Sequence, residues 1–132
     1  MLASTVVVMD ARSVLSILCG VIDAHDWAGL APLLADDFTC RYVHTGETFN
    51  RATWIQLNAD YPGFDRMRLE DIVGDGDHAA ARCHVTGETD GQLQHFEVAT
   101  FVTTVDGRIT TMTEVWANVD QSPPEGTGPA TD

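Results

Sequence analysis

The residues best suited to chemistry lie in the last strand-like run, residues 107–119. Alternation in period two puts Thr110, Met112, Glu114 and Trp116 on one face and Ile109 on the other. A carboxylate between apolar walls tends to have a raised pKa, which suits it to proton transfer. From the alternation alone, a solvated Glu114 on the wet face of the sheet is the simpler interpretation, because charged side chains usually face water.

A second set of candidate groups lies on the first strand-like run, residues 38–44, where Cys40, Tyr42 and His44 share a face. The Tyr42 hydroxyl could donate a hydrogen bond to a substrate, or it could be a buried hydroxyl bonded to backbone. His44 could act as an acid or a base near neutral pH. A half-exposed loop histidine is the favoured alternative for His44. A strand cysteine such as Cys40 is more often inert core than nucleophile.

A third set, Arg82 and His84, shares one face of the run 79–89. If that face points inward, the two side chains could bind an oxyanion or pair with Glu114. The outward orientation is favoured, because the opposite face is apolar and consists of Ala79, Ala81, Cys83 and Val85. The five histidines show no metal-ligand spacing, so no metal is expected, and no phosphate-binding loop or nucleophile elbow is present.

Length and composition predict one acidic domain. A chain of 132 residues can bury a real core. The net charge of -13 argues against binding to nucleic acid or to anionic membrane, and favours a neutral or cationic substrate. The three cysteines have no CxxC spacing, which predicts reduced thiols in a cytoplasmic protein. No apolar run is long enough to span a membrane.

The predicted order of elements is helix, helix, strand, helix and four long antiparallel strands, which indicates an α+β fold. The helices are expected at 10–25, from Asp26 with a stripe of Leu30, Leu33 and Leu34, and at 51–61 after an Asn50 cap. The long strands are expected at 67–73, 79–89, 94–105 and 107–119. Residues 1–9 form an N-terminal extension, 10–120 the domain and 121–132 a disordered tail.

The chain resembles the nuclear transport factor 2-like superfamily, and within it the SnoaL-like polyketide cyclase and ketosteroid-isomerase-like branch. The motifs that carry the resemblance are DAHDW at 23–27, LLADDF at 33–38, GDGDHA at 74–79 and the run 106–116. The resemblance implies a cone-shaped fold, in which a curved, mostly antiparallel sheet and three N-terminal helices enclose a pocket. It also implies chemistry without a cofactor and a homodimer formed through the outer sheet face.

Enzymes of this fold differ in their catalytic residues, and the chain departs from each set. The positions equivalent to the ketosteroid isomerase residues are Leu18, Tyr42 and Thr100, which argues against steroid isomerisation. Limonene-epoxide-hydrolase-like enzymes carry an acid on the last strand, which matches Glu114, but His84 stands where a middle-strand acid is expected. SnoaL-like cyclases often use a single last-strand acid, to which Glu114 also corresponds, but the residue of that family is more often aspartate and the motifs around it differ.

The resulting prediction is a cofactor-free enzyme for a small apolar molecule, such as a polyketide-like or other secondary metabolite. The reaction would be cyclisation, isomerisation, dehydration or epoxide hydrolysis by acid–base catalysis. The expected catalytic residues are Glu114, Tyr42 and His44, and the expected substrate-binding residues are Trp54, Cys40, Met112, Trp116, Thr100, Arg82 and His84. Trp27, Phe64 and Phe101 are expected to be packing residues. The alternative is a non-catalytic ligand-binding or dimerisation module, whose cavity would hold scattered or already paired polar groups.

Overall fold

The computed structural model describes residues 8–120 and 125–127. They form two α-helices, two 3₁₀ turns and six strands. The helices are α1 (Ala11–Asp23) and α2 (Arg51–Ala59), and the strands are β1 (Leu34–Tyr42), β2 (Thr48–Asn50), β3 (Phe64–Asp75), β4 (His78–Thr89), β5 (Gln92–Val105) and β6 (Arg108–Asn118). Most of the predicted N-terminal extension and tail lies outside the described residues. Within the described part of the chain, no helix is long and apolar enough to cross a membrane.

The six strands form one curved sheet in the order β2-β1-β6-β5-β4-β3. Strand β1 runs parallel to β6, and the other neighbouring pairs are antiparallel. The α+β class and the mostly antiparallel sheet are therefore confirmed. The edge strand β2 was not predicted, because three residues are too few to show an alternating pattern.

Both α-helices begin at a side-chain cap, of which Asn50 was predicted and Asp10 was not, and both pack on one face of the sheet. The Asp10 side chain accepts a hydrogen bond from the Ser13 backbone N–H at 2.9 Å. Asn50 and Thr53 form a capping box, in which each side chain accepts from the other residue's backbone N–H at 2.9 Å. The buried stripe of α1 lies mainly against β3 and β4, and α2 lies mainly against β1.

The predicted second helix is wrong. Residues Trp27–Gly29 and Ala31–Leu33 instead form two 3₁₀ turns, and β1 begins directly afterwards at Leu34. Pro32 lacks a backbone N–H and its ring clashes with the carbonyl four residues earlier, so an α-helix cannot continue through it. Asp26 makes no capping hydrogen bond.

The predicted facing of Ile109 is also wrong. The β5–β6 ladder pairs Thr103 with Thr111 and Thr104 with Ile109, so Thr110 is an extra residue in a β-bulge. The bulge turns Ile109 to the same face as Met112, where both side chains are buried. Beyond the bulge the alternation is regular, and Met112 and Glu114 face the helices as a pair of buried positions.

Candidate active site

Glu114 lies at the centre of a row of three side chains across β1, β6 and β5. Its ladder partners are Tyr42 on β1 and Thr100 on β5. The Thr100 hydroxyl donates a hydrogen bond of 2.8 Å to Glu114 Oε2. Only 3% of Glu114 is exposed, so it is a buried carboxyl and not a solvated one. A carboxyl at such a position needs hydrogen-bond donors around it.

The electrostatics of the buried carboxyl follow from its surroundings. Burial raises the pKa of Glu114 to about 7, because the charged form loses its hydration. Thr100, Trp54, Trp116 and Tyr42 point donor groups towards the carboxylate and offset part of this effect. Within the described part of the chain, the buried indole Nε1 atoms of Trp54 and Trp116 make no hydrogen bond of normal geometry. Glu114 is therefore present in both protonation states near neutral pH.

Tyr42 connects this carboxyl with a cavity of about 420 Å³. Tyr42 lines the cavity, whereas Glu114 lies behind the lining residues. Burial, and then the negative charge of Glu114, raise the pKa of Tyr42 far above its ordinary value, so the hydroxyl stays protonated. The ring packs edge-on against Phe49, with 4.8 Å between ring centroids. Tyr42 and Trp116 are thus the cavity-lining residues whose polar groups point towards Glu114.

The lining of the cavity is mostly aromatic. The cavity lies between the end of α2, the first 3₁₀ turn and one end of strands β3 to β6. Its aromatic lining consists of Trp27, Tyr42, Phe49, Tyr61, Phe64, Phe96 and Trp116. Its side-chain polar groups include those of His44, Glu47 and Asn58, and no arginine or lysine lines it among the described residues. Such a lining suits a small, largely apolar and uncharged or cationic molecule.

His44 lies at the wall of the same cavity and is exposed. Its ring stacks on Tyr42, with 5.4 Å between centroids and 24° between the ring planes. The structure thus brings two of the three predicted catalytic residues, Tyr42 and His44, to one cavity wall. It places the third, Glu114, directly behind Tyr42.

The predicted substrate-binding residues fall into three groups. Trp116 lines the cavity. Trp54, Cys40, Met112 and Thr100 are buried near Glu114 and do not line the cavity. Burial, and then the charge of Glu114, raise the pKa of the Cys40 thiol well above its usual range, so the inert interpretation of Cys40 is the consistent one.

Arg82 and His84 belong to neither the cavity nor the Glu114 cluster. Their strand turns Ala81 and Cys83 towards α1, where the Cys83 and Cys19 sulfurs are 3.5 Å apart. Arg82 and His84 therefore lie on the outer face of the sheet, and their predicted role in substrate binding has to be corrected. Phe101 lies on the same outer face and is 51% exposed, so it is not a packing residue of the core.

Three aromatic residues of the cavity, Phe49, Tyr61 and Phe96, were missed as site residues. Phe96 has the same parity as Val98 and Thr100 on β5, so its inward position could have been found from the alternation. Phe49 lies on the unpredicted strand β2, and Tyr61 follows α2 in a loop, so local patterns carried no signal for either.

Solved structures of similar fold support this architecture. One is a proposed ketosteroid isomerase from Kribbella flavida, with 23% identity, a TM-score of 0.76, and 92% of this chain and 89% of that chain covered. An LEH-like epoxide hydrolase of M. tuberculosis has 17% identity, a TM-score of 0.69 and coverage of 81% and 82%. IdmH from Streptomyces antibioticus, a proposed polyketide cyclase, has 22% identity, a TM-score of 0.67 and coverage of 79% and 89%. At these identities the likeness shows the fold alone.

The sequence itself gives a more specific result. A search of curated proteins gives no significant match. The model of the SnoaL-like domain family, in contrast, matches residues 18–112. Because this match spans well over half of the chain, the protein belongs to the SnoaL-like domain family, as its motifs predict.

Proposed function

We propose that the protein is a cofactor-independent enzyme that acts on a small, largely apolar molecule by acid–base catalysis in the cavity. The observation that carries this proposal is the pair formed by Tyr42, which lines the cavity, and Glu114, the buried carboxyl with a pKa of about 7 behind it. General acid–base groups work best when their pKa lies near the working pH. Cyclisation, isomerisation, dehydration and epoxide opening all need such a group.

The surroundings of Glu114 favour the role of a base. Four donor groups point towards its carboxylate, and an ionised carboxylate is an acceptor only. In the proposed step, the Tyr42 oxygen takes a proton from the substrate while the Tyr42 hydroxyl proton passes to Glu114. The reverse transfer returns the proton to the product. His44, stacked on Tyr42 at the cavity wall, is positioned to exchange a second proton with the substrate.

A proton-abstraction probe tests this proposal without knowledge of the natural substrate. The probe 5-nitrobenzisoxazole loses its ring C–H proton to a base while its N–O bond breaks, and the product phenolate is coloured. We expect elimination above the buffer rate, with kcat/KM rising as the pH increases through about 7, because the carboxylate is the active form.

Two substitutions and one matched control assign the step. Glu114→Gln and Tyr42→Phe should each lower the elimination rate by about 100-fold or more. Tyr61→Phe should leave it unchanged, because Tyr61 lines the same cavity but is exposed and is not one of the groups that point towards Glu114. Full turnover by Glu114→Gln, or equal loss in Tyr61→Phe, would contradict the assignment.

A second candidate function is ligand binding without catalysis. It is favoured by the position of Glu114, which is already paired with Thr100 and is absent from the cavity lining. A wild-type protein that binds an apolar fluorescent dye in the cavity, but shows no elimination at any pH, would support this alternative over the enzyme.

We also propose that the protein forms a homodimer through the outer face of the sheet. The support is the exposed apolar surface there, where Val73 is 62% exposed and Phe101 is 51% exposed. Sedimentation velocity of the wild type and of a Phe101→Glu variant tests this. A monomeric wild type would refute the proposal.

A further inference from the structure

We propose that the outer face of the sheet carries a binding site for a divalent metal ion, most suited to Zn²⁺, formed by Glu70, His84 and Glu97. The three side chains lie on the face opposite to the cavity, so the site is separate from the proposed catalytic residues. The proposal does not depend on what the cavity does.

Two ladders, which join β3 to β4 and β4 to β5, bring these residues together. His84 on β4 lies directly opposite Glu97 on β5. On β3 the register shifts between Leu69 and Asp71, so that Glu70 is an extra residue beside Arg82. A β-bulge of this kind re-aims a side chain, and here it turns Glu70 towards the two others.

The spacing of the donor atoms matches a metal site. Glu97 Oε2 is 3.0 Å from His84 Nδ1, and Glu70 Oε1 is 3.9 Å from the same nitrogen. All three ligand atoms lie within 4.8 Å of one another. Ligands bound tetrahedrally to Zn²⁺ at about 2.0–2.2 Å stand roughly 3.3–3.5 Å apart. The observed distances bracket this value, so small side-chain movements would close the site.

The neighbouring groups are those that support a metal ligand. His84 Nε2 lies 2.9 Å from His95 Nδ1. A ligating histidine commonly donates its second ring N–H to such an acceptor, which leaves the first nitrogen free for the metal. Arg82 Nη1 donates to Glu97 Oε1 at 2.7 Å, the oxygen that faces away from His84. The guanidinium thus orients Glu97 without occupying its metal-facing oxygen.

The charge and accessibility of the cluster also favour a cation. Arg82 Nη1 also lies 3.2 Å from Glu70 Oε1, the oxygen that faces His84, so a bound ion would compete with the guanidinium for this oxygen. One guanidinium faces two carboxylates, which leaves a negative excess. In the single chain, the side chains of Glu70, His84 and Glu97 are 38%, 29% and 32% exposed, so an ion can reach them there from solvent. Arg68, the ladder partner of His84 on β3, forms no ion pair with the cluster among the described residues.

Spacing along the chain does not reveal this cluster, which is why no metal was expected from the sequence. His84 and Glu97 are separated by a hairpin, and Glu70 comes from a third strand. Only the register of the two ladders makes them neighbours.

Titration of the untagged, metal-free chain with Zn²⁺ by calorimetry, and with Co²⁺ by visible absorption, tests the proposal. We expect one ion per chain and a Co²⁺ spectrum with a nitrogen ligand. His84→Ala and Glu97→Gln should each weaken binding by tenfold or more, and His95→Phe by about tenfold, as an outer ligand partner does.

His78→Ala is the matched control, because His78 is an exposed histidine of the same strand that pairs with Asp77 instead. This variant should bind like the wild type. Wild-type heats equal to those of dilution would overturn the proposal. So would unchanged binding in both His84→Ala and Glu97→Gln, since the ion would then sit elsewhere on this acidic chain.

Discussion

Replacing Glu114 by glutamine is expected to stabilise the protein at alkaline pH while it abolishes the proposed base. The glutamine side chain keeps the size of Glu114, and its amide oxygen can still accept the hydrogen bond from Thr100. It carries no charge at any pH, so the cost of burying a carboxylate disappears. The effect on stability should therefore depend on pH in a defined direction.

The magnitude follows from the pKa of the buried carboxyl. In the folded protein the pKa of Glu114 rises from 4.5 to about 7, so the folded chain binds this proton more tightly than the unfolded chain does. The stabilising contribution is complete below about pH 4.5 and is lost as the pH rises through about 7. Between about pH 5 and about pH 8 the wild type should lose about 2–3 kcal/mol from this group alone, and Glu114→Gln should not.

Urea denaturation of wild type and variant at several pH values measures this difference. The other carboxyls titrate alike in both proteins, so they cancel when the two free energies of unfolding are subtracted. Glu88→Gln, the loss of an exposed glutamate, controls for the change in net charge. A Glu114→Gln variant whose stability relative to wild type is independent of pH would refute the reasoning. A relative stability that falls with rising pH would refute it as well.

Three further predictions concern the elements that hold the cavity together. Gly63 has φ +77°, and a Cβ there would approach a backbone carbonyl oxygen of β4 to 2.0 Å, so Gly63→Ala should cost about 2 kcal/mol or more. Gly76→Ala, with φ +61° and open space around the Cβ, should cost less in the same denaturation assay, and equal costs would speak against the clash. Asn50→Ala should cost about 1 kcal/mol through loss of the α2 cap, and circular dichroism melting that shows no change would contradict it. Asp23 accepts two hydrogen bonds from Arg66, at 2.8 and 3.0 Å, and these are the main reason that the pKa of Asp23 lies below its usual value of 3.8. Asp23→Asn should therefore lower the free energy of unfolding by about 1–3 kcal/mol near pH 7. This difference from the wild type should vanish as the pH falls through the lowered pKa of Asp23.

Local patterns predicted those parts of the fold that depend on neighbours in the chain. The stripe of α1, the Asn50 cap and the long strands were found because helix and strand periodicities need only a short window of sequence. The second helix was predicted wrongly, because the leucine stripe has helical spacing while Pro32 within it prevents an α-helix. The bulge at Thr110 was missed because the register between β5 and β6 is set by pairing, not by either strand alone.

In the candidate site, too, local sequence patterns predicted one part and contacts between distant residues decided the rest. Alternation grouped Met112, Glu114 and Trp116, but it could not say whether that face is wet or buried. The structure answers this, because α1 and α2 both cover the face on which Glu114 lies, and burial then raises its pKa to about 7. The alternation on β4 likewise did not decide which face of the sheet Arg82 occupies. Because α1 packs against the opposite face of β4, Arg82 lies on the outer face.

The sequence by itself determined the family, the α+β class and the acidic residue on the last strand, because motifs, periodicity and composition are properties of the linear chain. Only the tertiary structure decided what surrounds that residue. Tyr42, Glu114 and Thr100 become a row because three strands pair in one register, and Glu70 reaches His84 and Glu97 through a bulge. The environment that sets the proton affinity of Glu114 is made of groups distant in the chain, so no local pattern in the sequence contains it.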